Sequence, residues 1–551
     1  PRPARGFHGH MPADAPRVNG AGGEDGTGAR ERSRSPSMNG SKLPKGHAVQ
    51  FFLEVDPGQK KVALAKAKGW GSGVQLLQSH GWLEGTLKEA YDPNHFDAAK
   101  PATWPLVQPS PDIVFEVKGG GKAPSEARRV RHIRDPITHA PLLSLLFVRW
   151  GGAYSAWMDE QEANDGDWGK YGSPPSDEYM AALVELGVLA HPRIKSEDGG
   201  NSVEIFNLIV KSSVDLWNLP GKVEKLRSIL RGKKRTSFWM LWPAEWEDTG
   251  DPDFACYVER QAMHNAMRAC EAQGVPAGFP HPADQLELIT SKSWMATLSV
   301  HPGARLPACT LVSKDRIVND LPGAAKEALA ALGQIRKLNP FPVKPGEPPA
   351  PSEINKDGVQ KGVVKLGWSW ENRFVSVFVG EEQLRKRMKD MMSQPGLLAS
   401  YCIVQEWVDF DFEMRLYFLP PPTWEQGTLQ PTRIECNAWG ARSQEDTVGQ
   451  SHASFSKLTE DACLQRWSGD AEAWASAKAQ AIETSQLLIT WLLASNARPV
   501  PMIRLDFMLK RLGPGQARVA FGEFCEMGAC CLGWKDGPPT IWKAAIDSAL
   551  R

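Results

Sequence analysis

Several polar residues interrupt apolar strand patterns, and their types suit phosphate and cation chemistry. Lys365 stands inside Gly362-Val-Val-Lys-Leu-Gly367. An ammonium in an apolar strand needs an anionic partner, because burying it alone is costly; a phosphate is one such partner. Arg504 and Asp506 fall two apart in Arg504-Leu-Asp506-Phe507, so a strand puts both on one face. A second run, Phe521-Gly-Glu523-Phe-Cys-Glu526, follows the turn signal Gly513-Pro514-Gly515. A hairpin there brings Asp506 beside Glu523 or Glu526. Adjacent carboxylates repel unless a proton or cation lies between them. Mg²⁺ prefers such oxygen ligands and usually bridges substrate phosphates.

A further piece is Val404-Gln405-Glu406-Trp407-Val408, followed by Glu413-Met-Arg415. A strand ending in polar and aromatic residues suits an adenine site. Backbone groups at 406 and 408 would meet the purine edge, Trp407 would cover its face, and Glu413 would accept from the ribose hydroxyls. Singly, each residue has a plainer explanation: a snorkelling lysine at 365, carboxylates paired with Arg504, a core tryptophan at 407. In this order, and all on strands, they point to a nucleotide site.

Periodicity supplies the elements that must hold them. Strands are expected at 49–55, 112–118, 236–242, 308–312, 362–367, 401–408, 413–419, 502–509 and 518–524, and 142–150 is an apolar run closed by Gly151-Gly152. Helices are expected at 178–189, 216–230, 253–273, 284–298, 323–336, 381–392 and 470–494. Residues 339–358 are rich in proline and glycine and read as an exposed loop.

Composition sets the outer limits. A chain of 551 residues implies about three or four domains. Hydrophobic residues at 42% and charged residues at 23% are those of a globular chain, which excludes wholesale disorder. Residues 1–48, rich in Gly, Pro, Ser and Arg, form the exception and read as a disordered tail. The balance of 64 basic and 64 acidic residues argues against a general attraction to nucleic acid or anionic membrane. No apolar run approaches the ~18–20 residues that span a bilayer. Nine cysteines without a C-x-x-C spacing exclude a disulfide scaffold or zinc ribbon and point to a reducing, intracellular, cytoplasmic setting. The basic stretches 128–134 and 231–235 read as solvated surface, and Gly119-Gly-Gly-Lys122 lacks the rest of a P-loop.

From about Phe238 to Trp534 these pieces resemble the ATP-grasp superfamily. The resemblance implies an α/β chain with two α+β subdomains clamping ATP, preceded by an additional mixed α/β region. The matching division is 1–48 tail, 49–235 N-terminal domain, 236–312 pre-ATP-grasp substrate-type domain and 313–551 ATP-grasp domain. In that family a helix lysine and a Val-Val-Lys strand lysine hold the phosphates. Lys365 is similar to the second; Lys292 is the natural first, with Lys314 its competitor. Gln405, Glu406, Trp407 and Val408 match the hinge, Glu413 the ribose acceptor, and Asp506 and Glu523 the Mg²⁺ ligands. Arg415 and Arg504 would stabilise the developing acylphosphate.

Two departures stand out. Cys525 occupies the position where the family usually has Asn, and a thiol is a poor Mg²⁺ ligand; Glu526 would substitute only through a bulge. The phosphate-covering loop, normally glycine-rich, reads Gly367-Trp-Ser-Trp-Glu-Asn372, where Ser369 would bond a phosphate oxygen. That loop resembles the atypical cell-division-cycle branch, which assists assembly of a translation initiation factor. The resemblance therefore implies an ATP- and Mg²⁺-dependent ligase joining a small-molecule or peptide carboxylate to an amine (or thiol). The alternative it leaves open is an ATP-binding clamp for a protein partner, without turnover.

Overall fold

The computed structural model describes residues 45–46, 48–53, 63–67, 75–87, 107–109, 113–117, 130–132, 141–150, 187–188, 190–196, 203–210, 213–220, 235–241, 260–339, 354–355, 358–368, 374–394, 397–419, 429–439, 455–494, 502–525 and 537–550. The expected tail up to residue 44, most of the expected helix 178–189, Ser369 and Glu526 lie outside them.

Ten strands form the first sheet: β1 Ala48–Leu53, β2 Ala63–Ala67, β3 Gln75–Leu87, β4 Val107–Pro109, β5 Ile113–Val117, β6 Val130–His132, β7 Leu143–Trp150, β8 Val203–Val210, β9 Thr236–Leu241 and β10 Ala277–Phe279. β8, β7, β9 and β10 lie side by side and parallel, and β3 joins β8 antiparallel. Parallel strands are apolar on both sides and need cover on both. On one face Leu146, Val148, Phe206 and Phe238 share a core with α2 (Ser213–Asn218) and α3 (Arg260–Ala272), through Leu216, Met263 and Ala266. On the other, Leu145, Phe147, Ile205 and Trp239 meet Ile194 of α1 (Pro192–Ser196) and Ile541 and Trp542 of the C-terminal helix Gly537–Ala549. The sheet thus runs across the 235/236 boundary drawn from sequence, and the end of the chain returns to it.

After α4 (Ala283–Ser291) and α5 (Trp294–Leu298) comes a four-stranded antiparallel sheet in the order β11-β16-β14-β15. Its strands are β11 Cys309–Ser313, β14 Lys361–Lys365, β15 Val375–Val379 and β16 Tyr401–Glu406; a separate short hairpin, β12 Ile354–Asn355 with β13 Gly358–Val359, precedes β14. Between strands lie α6 (Lys314–Asn319), α7 (Leu321–Leu338) and α8 (Gly380–Met392). Ser313 Oγ caps α6 by accepting from Arg316 N at 3.2 Å, and Asp320 Oδ1 caps α7 by accepting from Gly323 N at 3.0 Å. Val364, Val404 and Cys402 bury one face of the sheet against Ala325, Leu332, Leu384 and Met388 of α7 and α8.

The last sheet has five strands in the order β19-β18-β17-β20-β21. They are β17 Phe412–Phe418, β18 Arg433–Trp439, β19 Phe455–Leu458, β20 Ile503–Gly513 and β21 Gln516–Cys525, with α9 (Glu460–Arg466) and α10 (Ala471–Ala494) between β19 and β20. Phe412, Met414, Leu416, Leu505, Phe507 and Phe521 bury one face against Trp474, Ala477, Ala481 and Leu488 of α10. Because side chains alternate along a strand, the other face carries Glu413, Arg415, Glu435, Arg504, Asp506 and Glu523. No helix among the described residues is long and apolar enough to cross a membrane.

Some elements differ from the sequence reading. The single helix expected over 284–298 breaks at Lys292, which takes a left-handed φ of 54° between α4 and α5. The helix expected from 216 begins earlier, at Ser213, and α2 ends at Asn218; residues 221–230 lie outside the described set. β8, β15, β18, β19 and α9 had not been expected.

Candidate nucleotide and acylphosphate site

The break at Lys292 sets the site's geometry. It turns the chain at the end of α4, and Lys292 Nζ meets Glu523 Oε2 at 3.2 Å. Lys365, the last residue of β14, lies within electrostatic reach of both. Burial pulls its pKa down to about 8; the neighbouring Lys292 adds to the fall, while Cys309 and Glu523 oppose it. Glu523 shows the converse. Burial favours its neutral form, but Lys292 first, then Arg504 and Lys365, hold its pKa down to about 2. Lys292 thus pairs with this carboxylate, and Lys365 from a separate element adds its charge nearby. Lys314, the competitor for the first position, instead opens α6.

Asp506 stands directly opposite Glu523 in the β20–β21 ladder, and the register shifts immediately after this pair. Arg504 holds Asp506 with two parallel bonds, Nε to Oδ1 and Nη2 to Oδ2, both 2.8 Å. Arg415, opposite Asp506 on β17, places Nε 3.8 Å from Asp506 Oδ2 and also donates to Glu413 Oε1. Glu413 further accepts from Trp439 Nε1 at 2.8 Å. Its pKa is raised by burial and by the charge of Asp506, against the pull of Arg415. Cys525 is buried opposite Arg504.

The hinge residues end β16. The Glu406 side chain points to the helix side of its sheet: Oε1 accepts from Ala308 N at 2.8 Å, and Arg336 of α7 pairs with both carboxylate oxygens, through Nε to Oε2 at 2.8 Å. The backbone amides of Glu406 and Trp407 donate to Ala308 O and Lys361 O at 3.0 and 2.9 Å. Gln405 and Val408 are buried, and Lys361 Nζ sits 3.9 Å above the Trp407 ring. Removing one partner of a buried ion pair costs about 3–5 kcal/mol. Arg336→Ala is therefore expected to lower stability by about 3 kcal/mol, with a smaller loss in Arg336→Lys. Urea unfolding midpoints check this, and an alanine variant as stable as wild type would show that the hinge does not depend on the pair.

The donor set suits a divalent cation in part. Asp506 and Glu523 offer oxygens from adjacent strands, which fits Mg²⁺ when phosphate and water complete its shell. Among the described residues no group of three His, Cys, Asp or Glu side chains could hold a metal. Sequence reasoning missed a second polar cluster on the same face of the sheet. Buried Glu435 accepts from Tyr417 Oη at 2.8 Å, Arg433 Nη2 at 2.6 Å and Lys457 Nζ at 3.1 Å, and lies opposite Arg415. Arg433, Glu435 and Asn437 alternate with apolar residues in β18, and that period of two was a legible signal.

No family model and no curated protein matches this chain. Among solved structures it is similar to the D-cycloserine synthetase DcsG, with 16% identity, a TM-score of 0.39, and coverage of 74% of this chain and 99% of that one. It is similar to the D-Ala:D-Ser ligase VanG from Enterococcus faecalis, with 12% identity, a TM-score of 0.40 and coverage of 74% and 99%. It is also similar to the D-alanine–D-alanine ligase from Bacillus anthracis complexed with ATP, with 11% identity, a TM-score of 0.36 and coverage of 74% and 97%. Lys365, the 405–406 pair, Asp506 and Glu523 stand on β14, β16, β20 and β21, and Lys292 stands between α4 and α5.

Proposed function

We propose that the chain binds ATP between its four- and five-stranded sheets and uses it to join a carboxylate to an amine. The observation that carries this reading is the pairing of Lys292 with Glu523 opposite Asp506, with Lys365 at the end of β14 within electrostatic reach of both. Lys292 and Lys365 neutralise phosphate oxygens. The backbone carbonyl at 406 and backbone groups at 408 meet the purine edge beside Gln405 and Trp407, and Glu413 accepts from the ribose with its remaining lone pairs. Asp506 and Glu523 would hold Mg²⁺, which supplies charge neutralisation at the β- and γ-phosphates. A carboxylate oxygen of the first substrate attacks the γ-phosphorus and ADP leaves. The amine nitrogen then attacks the acyl carbon, and phosphate leaves with the carbonyl oxygen restored. Arg415 and Arg504 present fixed positive charge where the phosphoryl oxygens gather charge. Ser369 and Glu526 keep their proposed places as phosphate donor and supplementary metal ligand. The substrates are a small-molecule or peptide carboxylate and an amine; neither nucleic acid nor membrane is a partner in this reading.

The test is trapping. With ATP, Mg²⁺, a carboxylate pool and hydroxylamine, wild type is expected to form a hydroxamate together with ADP and phosphate, and Lys365→Met to form neither. A specific observation favours a second reading, the ATP-dependent clamp for a protein partner: Cys525, at the position where the resemblance implies an oxygen ligand, is a thiol buried opposite Arg504 in the core of the first sheet, and a thiol is a poor ligand for a hard cation. ATP binding without hydroxamate or ADP across carboxylate pools would replace the ligase with the clamp.

A further inference from the structure

We infer that Trp368 is a positioning residue: it anchors the end of the Lys365 strand to the N-terminal sheet's core and so fixes the spacing of Lys365 and Lys292. This inference rests on the ATP reading above. Trp368 lies three residues beyond Lys365, yet it is not part of the core under that strand's own sheet. At 1% exposure it packs in the core of the first sheet, with Met263, Ala266 and Met267 of α3 and Leu286 of α4. The Arg260 guanidinium carbon sits 4.3 Å above its ring, and the His264 ring is 5.3 Å away.

The residue before it makes the second half of the anchor. A Cβ on Gly367 would collide with the Ser291 carbonyl oxygen, so only glycine lets the two backbones approach this closely. Tyr401 Oη, from the neighbouring β16, donates to the same oxygen at 2.9 Å. Ser291 is the last residue of α4, and Lys292 follows it in the left-handed conformation. Leu366 N donates to Phe374 O at 3.1 Å, which ties β14 to β15 just beyond Lys365.

One contact therefore governs both phosphate lysines: Gly367 lies two residues after Lys365, and Ser291 immediately before Lys292. Trp368 holds that contact shut by burying a large rigid ring beyond it. In this role it acts through the backbone. Small misplacements of charged groups weaken multi-point recognition steeply. A chain of phosphates that needs both lysines should feel the loss, whereas the nucleoside, bound at the hinge, should not.

The experiment uses the full chain and compares ATP with adenosine by calorimetric titration, on wild type, Trp368→Leu, Trp368→Phe and Gly367→Ala. Trp368→Leu and Gly367→Ala are expected to weaken ATP about tenfold while adenosine affinity stays within about twofold, and Trp368→Phe is expected to retain most ATP affinity. Unchanged ATP affinity in folded Trp368→Leu overturns the inference, as does an equal loss for ATP and adenosine. If Trp368→Leu fails to fold, Gly367→Ala and Trp368→Phe decide by the same ratio. Folded wild type without affinity for ATP overturns the nucleotide reading itself and is recognised before any variant is compared.

Discussion

Replacing Asp506 by alanine is expected to lower the unfolding free energy by about 3–5 kcal/mol. The side chains of Arg504 and Asp506 are only 7% and 5% exposed, and they share two parallel 2.8 Å bonds. Removing the carboxylate takes from a buried guanidinium its closest anion, and Arg415 loses its neighbour on the same face. Leaving one buried charge costs far more than the pair contributed. Asp506→Asn keeps the shape and one acceptor, so its loss should be smaller. Urea unfolding separates the two variants, and nucleotide binding should fall in both. An alanine variant with the wild-type midpoint would mean that the pair is not part of the framework.

Raising the pH through 8 is expected to weaken ATP binding by up to about tenfold per unit. Burial brings Lys365 down from 10.5 to about 8, so its ammonium is lost there rather than at the value of a free lysine. Below 8 the charged form meets phosphate; above it the neutral amine does not. Folding responds with the opposite sign. The unfolded chain keeps its proton up to about 10.5 and the folded chain loses it near 8, so this group's contribution to stability rises with pH between those values. Lys365→Met should remove both trends. A steep fall in ATP affinity above pH 8 that survives in Lys365→Met would move the titration to another group.

Much of the site was legible because its residues violate local rules. Lys365, Arg504, Asp506 and Glu523 stand in strands whose neighbours are apolar, and the turn at 513–515 implied a hairpin with Asp506 beside Glu523 or Glu526; the ladder pairs it with Glu523. Period-two alternation then placed Arg504 and Asp506 on one face without any tertiary knowledge. Lys292 shows where that reasoning stops. Neither glycine nor asparagine marks the left-handed break, so the pattern ran on as one helix, and the turn that delivers Lys292 to Glu523 emerged only with the packed structure. β8 is a near-continuous apolar run whose partners, β7 and β3, are distant in sequence; such a run does not distinguish a buried strand from a buried helix. Trp368 read as part of the phosphate-covering loop, but its destination is the core of another sheet. Local sequence holds no record of that journey, because the contact is made by α3 and α4.

The most direct measurement is calorimetric titration of Mg²⁺-ATP into wild type, Lys365→Met and Lys314→Met. A site built on Lys365 and Lys292 predicts one saturable site in wild type, affinity at least about tenfold weaker in Lys365→Met, and unchanged affinity in Lys314→Met. Equal affinity in wild type and Lys365→Met, or loss confined to Lys314→Met, would contradict it.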